Sequence, residues 1–201
     1  VTTKLVVATT NRSKVSEINE ILTRSGTEIV GLDEMNAMLE PEETGATFGE
    51  NALIKARHYF SLTGLVTVAD DSGLEVQELA GAPGVRSARY AGPGATDRER
   101  FGKLLAQLAG SPEDRRDARF VCAAAIVWAG GQRLFVEEVS GNIISEPRGS
   151  SGFGYDPVFW YPPLGKTFGE LSRAEKSNIS HRGKAFRRLA LWLQQARTGL
   201  C

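Results

Sequence analysis

Cysteine is scarce in this chain. Cys122 lies inside an apolar run and Cys201 at the terminus, which gives neither a disulfide framework nor metal-ligand spacing. Both thiols read as structural or incidental, and their scarcity favours a reducing compartment. Long apolar runs are also missing. No stretch approaches the ~20 residues that span a bilayer, and the first residues lack the charged-then-apolar order of a signal peptide. The expectation is a cytoplasmic chain with no membrane partner. Neither charge is in excess, because 24 basic side chains balance 24 acidic ones. Without a global field to draw the chain to DNA or RNA, no nucleic-acid partner is expected, and a polyanionic ligand must meet a local cluster. Two nucleotide signatures are absent as well. There is no Gly-x-x-x-x-Gly-Lys-Ser/Thr and no Gly-x-Gly-x-x-Gly after a strand, which excludes a Walker loop and a dinucleotide fingerprint.

What is present suits one α/β domain. The chain has 201 residues, 41% hydrophobic and 24% charged, enough to bury its own core as a single domain over residues 1–201, in one lobe or two. Lys4-Leu5-Val6-Val7-Ala8 reads as a buried strand, followed by a helix from Ser13 to Thr23 with Val15, Ile18, Ile21 and Leu22 on one face. Thr47-Phe48-Gly49-Glu50 forms a capping box that opens a second helix to about Leu62, and Thr96-Asp97-Arg98-Glu99 opens a third. Leu65 to Ala69 reads as a further strand. Arg119 to Ala129 and Arg133 to Ile144 are β-rich runs around the hairpin signal Gly130-Gly131-Gln132, so the sheet is expected to be mixed. A last helix begins near Ser180.

Four segments carry chemistry. Thr9-Thr10-Asn11-Arg12-Ser13-Lys14 joins the first strand to the first helix, where unpaired amides, hydroxyls and an ammonium suit a phosphate. The same residues also suit a plain helix cap with Lys14 in solvent. Asp70-Asp71-Ser72-Gly73 follows an apolar strand, the usual place for ligand-binding groups, although its residue types equally suit a turn. Adjacent carboxylates in extended chain point to different sides, so one could face a divalent metal while the other holds the loop. Glu42-Glu43 could add a carboxylate, and such oxygen ligation suits Mg²⁺. Gly152-Phe153-Gly154-Tyr155-Asp156 offers an open aromatic face for a base. Asp156 supplies an acceptor for a ring N–H, and Lys176, His181 and Arg182 supply donors for a carbonyl edge. A glycine-rich turn before an apolar strand is the competing explanation.

Taken together, these segments resemble the inosine and xanthosine triphosphate pyrophosphatases, the Ham1-like or RdgB-like family. The likeness rests on Ala8-Thr9-x-Asn11-x-x-Lys14, Glu42-Glu43-Thr44-Gly45, Glu50-Asn51-Ala52-x-x-Lys55-Ala56 and Ala69-Asp70-Asp71-Ser72-Gly73-Leu74. It continues through Gly81-Ala82-Pro83-Gly84, Ser87-Ala88-Arg89-Tyr90, Gly152 to Pro157 and Ser180-His181-Arg182-Gly183, in the family's order. Thr10, where bacterial members often have Gly, and Ser150-Ser151 are small departures. The resemblance implies a long central mixed β-sheet flanked by helices, with two lobes around an active-site cleft (Ham1/Maf-like), usually as a homodimer. It also implies that Thr9, Thr10, Asn11, Arg12, Ser13 and Lys14 hold a triphosphate, that Glu42 and Asp71 bind Mg²⁺, and that Asp71 accepts the proton of the attacking water. Ser72 and Lys55 would help hold the substrate. Phe153 would stack on a purine, with Gly154, Tyr155, Asp156, Lys176, His181 and Arg182 lining the base pocket. The implied activity converts ITP, dITP and XTP to the monophosphate and pyrophosphate. A related pyrophosphatase for pyrimidine or modified nucleotides, and a nucleotide sensor that does not hydrolyse, are the alternatives.

Overall fold

In a computed structural model, which describes residues 4–23, 26–32, 34 and 40–196, the strands form one open, mixed seven-stranded sheet. The strands are β1 (Lys4–Val7), β2 (Glu28–Gly31), β3 (Val66–Val76), β4 (Asp117–Trp128), β5 (Gly131–Ile143), β6 (Phe159–Tyr161) and β7 (Lys166–Thr167). Their order is β2-β1-β3-β4-β5-β6-β7. β1 pairs in parallel with β2 and β3, Val7 facing Gly31 and Val68, whereas β5–β6 and β6–β7 are antiparallel. β4 and β5 join through Ala129-Gly130, the hairpin expected from the glycines. Cys201 lies outside the described residues.

Helices α1 (Arg12–Thr23), α2 (Phe48–Thr63), α3 (Asp97–Gln107), α4 (Arg173–Ile179) and α5 (His181–Ala196) flank the sheet. Both expected capping boxes form, Thr47 with Glu50 and Thr96 with Glu99, and two more do so, Thr167 with Glu170 at a 3-10 turn and Ser172 with Glu175 at the start of α4. α1 buries Ile18, Ile21 and Leu22, three of the four residues expected on its inner face.

The chain divides into two compact units, each with its own core. The first comprises Val1–Asp71, Cys122–Glu137 and Arg182–Cys201, and the second Ser72–Val121 and Glu138–His181. Leu5, Val7, Leu22, Ala124, Ile126, Phe186 and Leu189 belong to the first core; Leu74, Leu104, Phe120, Ile143, Phe159 and Phe168 belong to the second. Phe120, Phe159 and Phe168 meet with ring centroids 4.6 to 5.8 Å apart, a geometry that aromatic quadrupoles favour.

One expectation is overturned. Asp70-Asp71-Ser72-Gly73 does not follow a strand as a turn but lies within β3, which runs on to Val76. Turn-forming residue types lose here because the carboxylates, held in extended chain, meet cations from the helices: Lys14 of α1, Lys55 of α2 and Arg182 of α5. The apolar strand that follows the Gly152 to Asp156 segment starts at Phe159, as Val158 ends a 3-10 turn.

Candidate active site

In the first unit, α1 begins where Asn11 Oδ1 accepts the amides of Ser13 at 3.0 Å and Lys14 at 3.2 Å. That is an N-cap, so the capping explanation holds for Asn11. Thr9 Oγ1 accepts the Asn11 amide at 3.3 Å, and the Thr10 hydroxyl donates to Glu40. Arg12 and Ser13 are exposed. Lys14 is not left to solvent: its Nζ lies 3.0 Å from Asp70 Oδ2.

Asp70 and Asp71 occupy successive positions of β3, so the pleat gives them different partners. Asp70 Oδ2, which takes Lys14, also accepts Arg182 Nε at 3.3 Å, and Arg182 Nη1 donates to Glu17 at 2.7 Å. Arg182 is only 2% exposed. Its burial works against its charge, but Asp70 and Glu17 outweigh that and raise its pKa. The structure thus sets Arg182 beside two carboxylates of its own unit, and Glu17 joins the group unforeseen. A visible clue was its position three residues after Lys14, on the same face of α1.

Asp71 Oδ2 accepts Asn51 Nδ2 at 3.2 Å, and Oδ1 stands 3.7 Å from Lys55 Nζ. Lys55 also donates to Glu43 Oε1 at 2.8 Å. Asn51, fully buried, accepts the Gly45 amide at 2.8 Å and so ties the Glu42-Glu43 segment to α2. A Cβ on Gly45 would come within 2.6 Å of Asn51 Oδ1, which explains a glycine there. Of the acidic pair, Glu43 is half-buried against Lys55 and Glu42 is exposed.

Burial pushes the Asp71 pKa up; Lys55 and Lys14 oppose this, while Glu43 and Asp70 add to it. For Lys55, burial pulls downward but Asp71, Asp70 and Glu43 prevail and raise the pKa. The cluster therefore sets the carboxylates of Asp70, Asp71 and Glu43 against Lys14, Lys55 and Arg182. Such an all-oxygen donor set fits Mg²⁺, which takes one or two carboxylates and keeps several waters. Among the described residues no group of three or more His, Cys, Asp or Glu is placed to hold a metal ion.

In the second unit, the segment Gly152 to Asp156 closes on itself. Asp156 Oδ2 accepts the Phe153 amide at 2.8 Å and Lys176 Nζ at 2.6 Å, a buried ion pair. A Cβ on Gly152 would fall 2.0 Å from that same oxygen, and its φ of 75° already favours glycine. Lys176 Nζ also stands 4.5 Å from the Phe153 ring centroid. The Gly154 amide donates to Asp97 Oδ2 at 2.7 Å, and the Tyr155 hydroxyl donates to the Ser87 carbonyl at 2.9 Å. Burial raises the Tyr155 pKa, so that hydroxyl stays protonated as a donor. His181 is 4% exposed and stacks on Phe120, 4.7 Å between centroids and 10° between planes. Ser72, at the start of this unit, is half-buried within β3. Asp97 and Ser87 were not foreseen as loop anchors. Asp97 is visible in the sequence only as part of a helix start.

Comparison with known proteins agrees with these motifs. Residues 5–192 match the Ham1 family. The dITP/XTP pyrophosphatase of Frankia alni is 49% identical, with 97% of this chain and 99% of that protein aligned. That of Desulfotalea psychrophila is 47% identical, with 95% and 88% aligned. A HAM1 protein from Coxiella burnetii superposes with a TM-score of 0.89 at 42% identity, covering 96% of this chain and all of its own.

Proposed function

Because the chain belongs to the Ham1 family, we propose that it hydrolyses ITP, dITP and XTP to the nucleoside monophosphate and pyrophosphate, clearing deaminated purines from the nucleotide pool. The observation that carries this reading is the buried Asp156–Lys176 pair beside Phe153. An acceptor next to a donor complements the N1–H and O6 edge of hypoxanthine or xanthine. Adenine presents the reverse, an amino donor toward the ammonium and a bare nitrogen toward the carboxylate. Sites built on such hydrogen bonds discriminate by up to ~10⁴-fold, because a mismatch buries an unpaired group. Phe153 supplies the sequence-blind part of the affinity by stacking.

The first unit supplies the phosphate chemistry. Lys14 and Lys55 stand as phosphate clamps that exchange a carboxylate for the substrate's oxygens, with the Thr9 to Ser13 segment beside them. Asp71 takes a proton from the attacking water, and Asn51 fixes the orientation of its carboxylate. Asp71, together with a carboxylate of the Glu42-Glu43 pair, would hold Mg²⁺; Glu43 is the member that already shares Lys55 with Asp71. When bound, the metal neutralises phosphate charge and acidifies a coordinated water. Arg182, hydrogen-bonded to both Asp70 and Glu17, holds the Asp70 carboxylate in place beside Lys14. A homodimer in a reducing, cytoplasmic setting completes the proposal. Among the described residues no helix is long and apolar enough to cross a membrane.

The test is pyrophosphate release from dITP, XTP, dGTP, dATP and dTTP, with and without Mg²⁺, compared as kcat/KM. Mg²⁺-dependent preference for dITP and XTP over dATP by a factor on the order of 10³ or more is the expected result. Preference for dTTP would move the chain to a pyrimidine specificity, and binding without release would make it a sensor.

A further inference from the structure

The loop that carries Phe153 is anchored from α3 by a charged residue, Asp97. Its Oδ2 accepts the Gly154 amide at 2.7 Å across 57 residues of sequence. Its Oδ1 receives Arg100 Nη2 at 2.8 Å, and Arg100 in turn donates to the carbonyls of Ala88 at 3.0 Å and Thr96 at 3.3 Å. The carboxylate is thus fixed before it meets the loop. Helix capping does not account for it, since Thr96 and Glu99 already complete the box at the start of α3. Gly154 has no side chain and sits at a φ of 66°, so only its peptide group can hold it. Its neighbours have their own ties, Phe153 through its amide to Asp156 and Tyr155 through its hydroxyl to Ser87. A bond from an amide to a carboxylate is stronger than a neutral one.

We infer that Asp97 is a positioning residue for base recognition: it locks the Gly154 peptide so that Phe153 on one side and Asp156 on the other present a fixed platform and a fixed edge. This rests on the purine reading above. Released from Asp97, the Gly154 peptide can rotate, and the stacking ring and the reading carboxylate lose their mutual register. The groups assigned to phosphate chemistry belong to the first unit and keep their own partners, so the loss falls on binding and selectivity rather than on the chemical step.

The experiment compares wild type with Asp97→Ala, Asp97→Asn and Arg100→Met, reading KM and kcat separately for dITP and dATP, together with amide hydrogen exchange at Gly154. Asp97→Ala raises KM for dITP about tenfold, the size expected for one charge-assisted hydrogen bond, and shrinks the dITP-to-dATP preference. Its kcat stays within about threefold, the pattern of lost binding common to ground and transition states. Gly154 exchanges faster. Asp97→Asn keeps an acceptor oxygen and restores most of both readouts, and Arg100→Met, which loosens the carboxylate but leaves the Gly154 bond, is impaired less than Asp97→Ala. Should Asp97→Ala fail to fold, Asp97→Ser replaces it, as serine suits a first helical turn and is one atom too short to reach the amide. A folded Asp97→Ala or Asp97→Ser protein with unchanged KM overturns the inference. So does equal impairment by Asp97→Asn, or an Arg100→Met protein that matches Asp97→Ala. A wild type without preference for deaminated purines overturns the purine reading first and the role of Asp97 with it; a selective wild type with a silent Asp97→Ala overturns Asp97 alone.

Discussion

Asp71 and Asp156 are both buried carboxylates, yet they are held differently. Asp156 forms a close buried pair with Lys176 at 2.6 Å, whereas Asp71 shares Lys55 with Glu43. Lys176→Met removes the cation of that buried pair and is expected to cost about 3–5 kcal/mol in urea unfolding, much of which Asp156→Asn recovers in the double variant. Asp71→Asn removes a charge that burial already disfavours. Turnover should fall at least ~100-fold if Asp71 is the general base, while the thermal midpoint without Mg²⁺ stays level or rises. Parallel loss of stability and activity would mean that Asp71 is structural. At this scale the sequence shows residue types better than pairings. Lys14, Asp71, Phe153 and Lys176 stand out by kind and setting. That Arg182 turns to Asp70, 112 residues away, is set by tertiary folding and leaves no local trace.

Helix starts were the most legible elements, because a capping box is written in four consecutive residues. Thr47→Ala should cost about 0.5–2 kcal/mol, and part of that loss should reach Asn51 and Lys55, which α2 carries; thermal melts and KM together would show it. Three box carboxylates also give a pH signature. The Thr96 amide and hydroxyl hold Glu99 below the usual range, the Thr167 amide does so first for Glu170, and the Ser172 hydroxyl and amide do so for Glu175. A lowered folded pKa contributes stability that is present above the unfolded value, about 4.3 for Glu, and is lost as pH falls through the folded value. Glu99→Gln, Glu170→Gln and Glu175→Gln should thus lower the urea midpoint at pH 7, by an amount that shrinks steadily as pH falls below the unfolded value. Less legible were the short elements. β2 has four residues and α4 seven, too few for a hydrophobic period to show, although Ser172-x-x-Glu175 marked α4 by the signal that located α2. The extension of β3 through Asp70 to Gly73 was hidden because the cations that make strand tolerable there lie far along the chain.

For the whole molecule, alternation of strand and helix plus one hairpin was enough to anticipate a mixed sheet. The division into two cores was not readable from order alone, since each unit is assembled from separated segments. Ligand linkage tests the molecule as a whole. A non-hydrolysable dITP analogue with Mg²⁺ at 100 times its Kd should stabilise by about 2.7 kcal/mol, and the adenine counterpart at the same concentration should stabilise far less; equal shifts would leave the base edge unread. The interleaving also matters during synthesis. The first core joins Leu5 and Leu22 to Phe186 and Leu189 of α5, so a growing chain cannot seal it until the ribosome has delivered that late helix. Folding of this unit is therefore completed late in translation. A message cut short before His181 would yield a polypeptide with the apolar faces of β1, α1 and β4 uncovered, a ready substrate for cellular proteolysis.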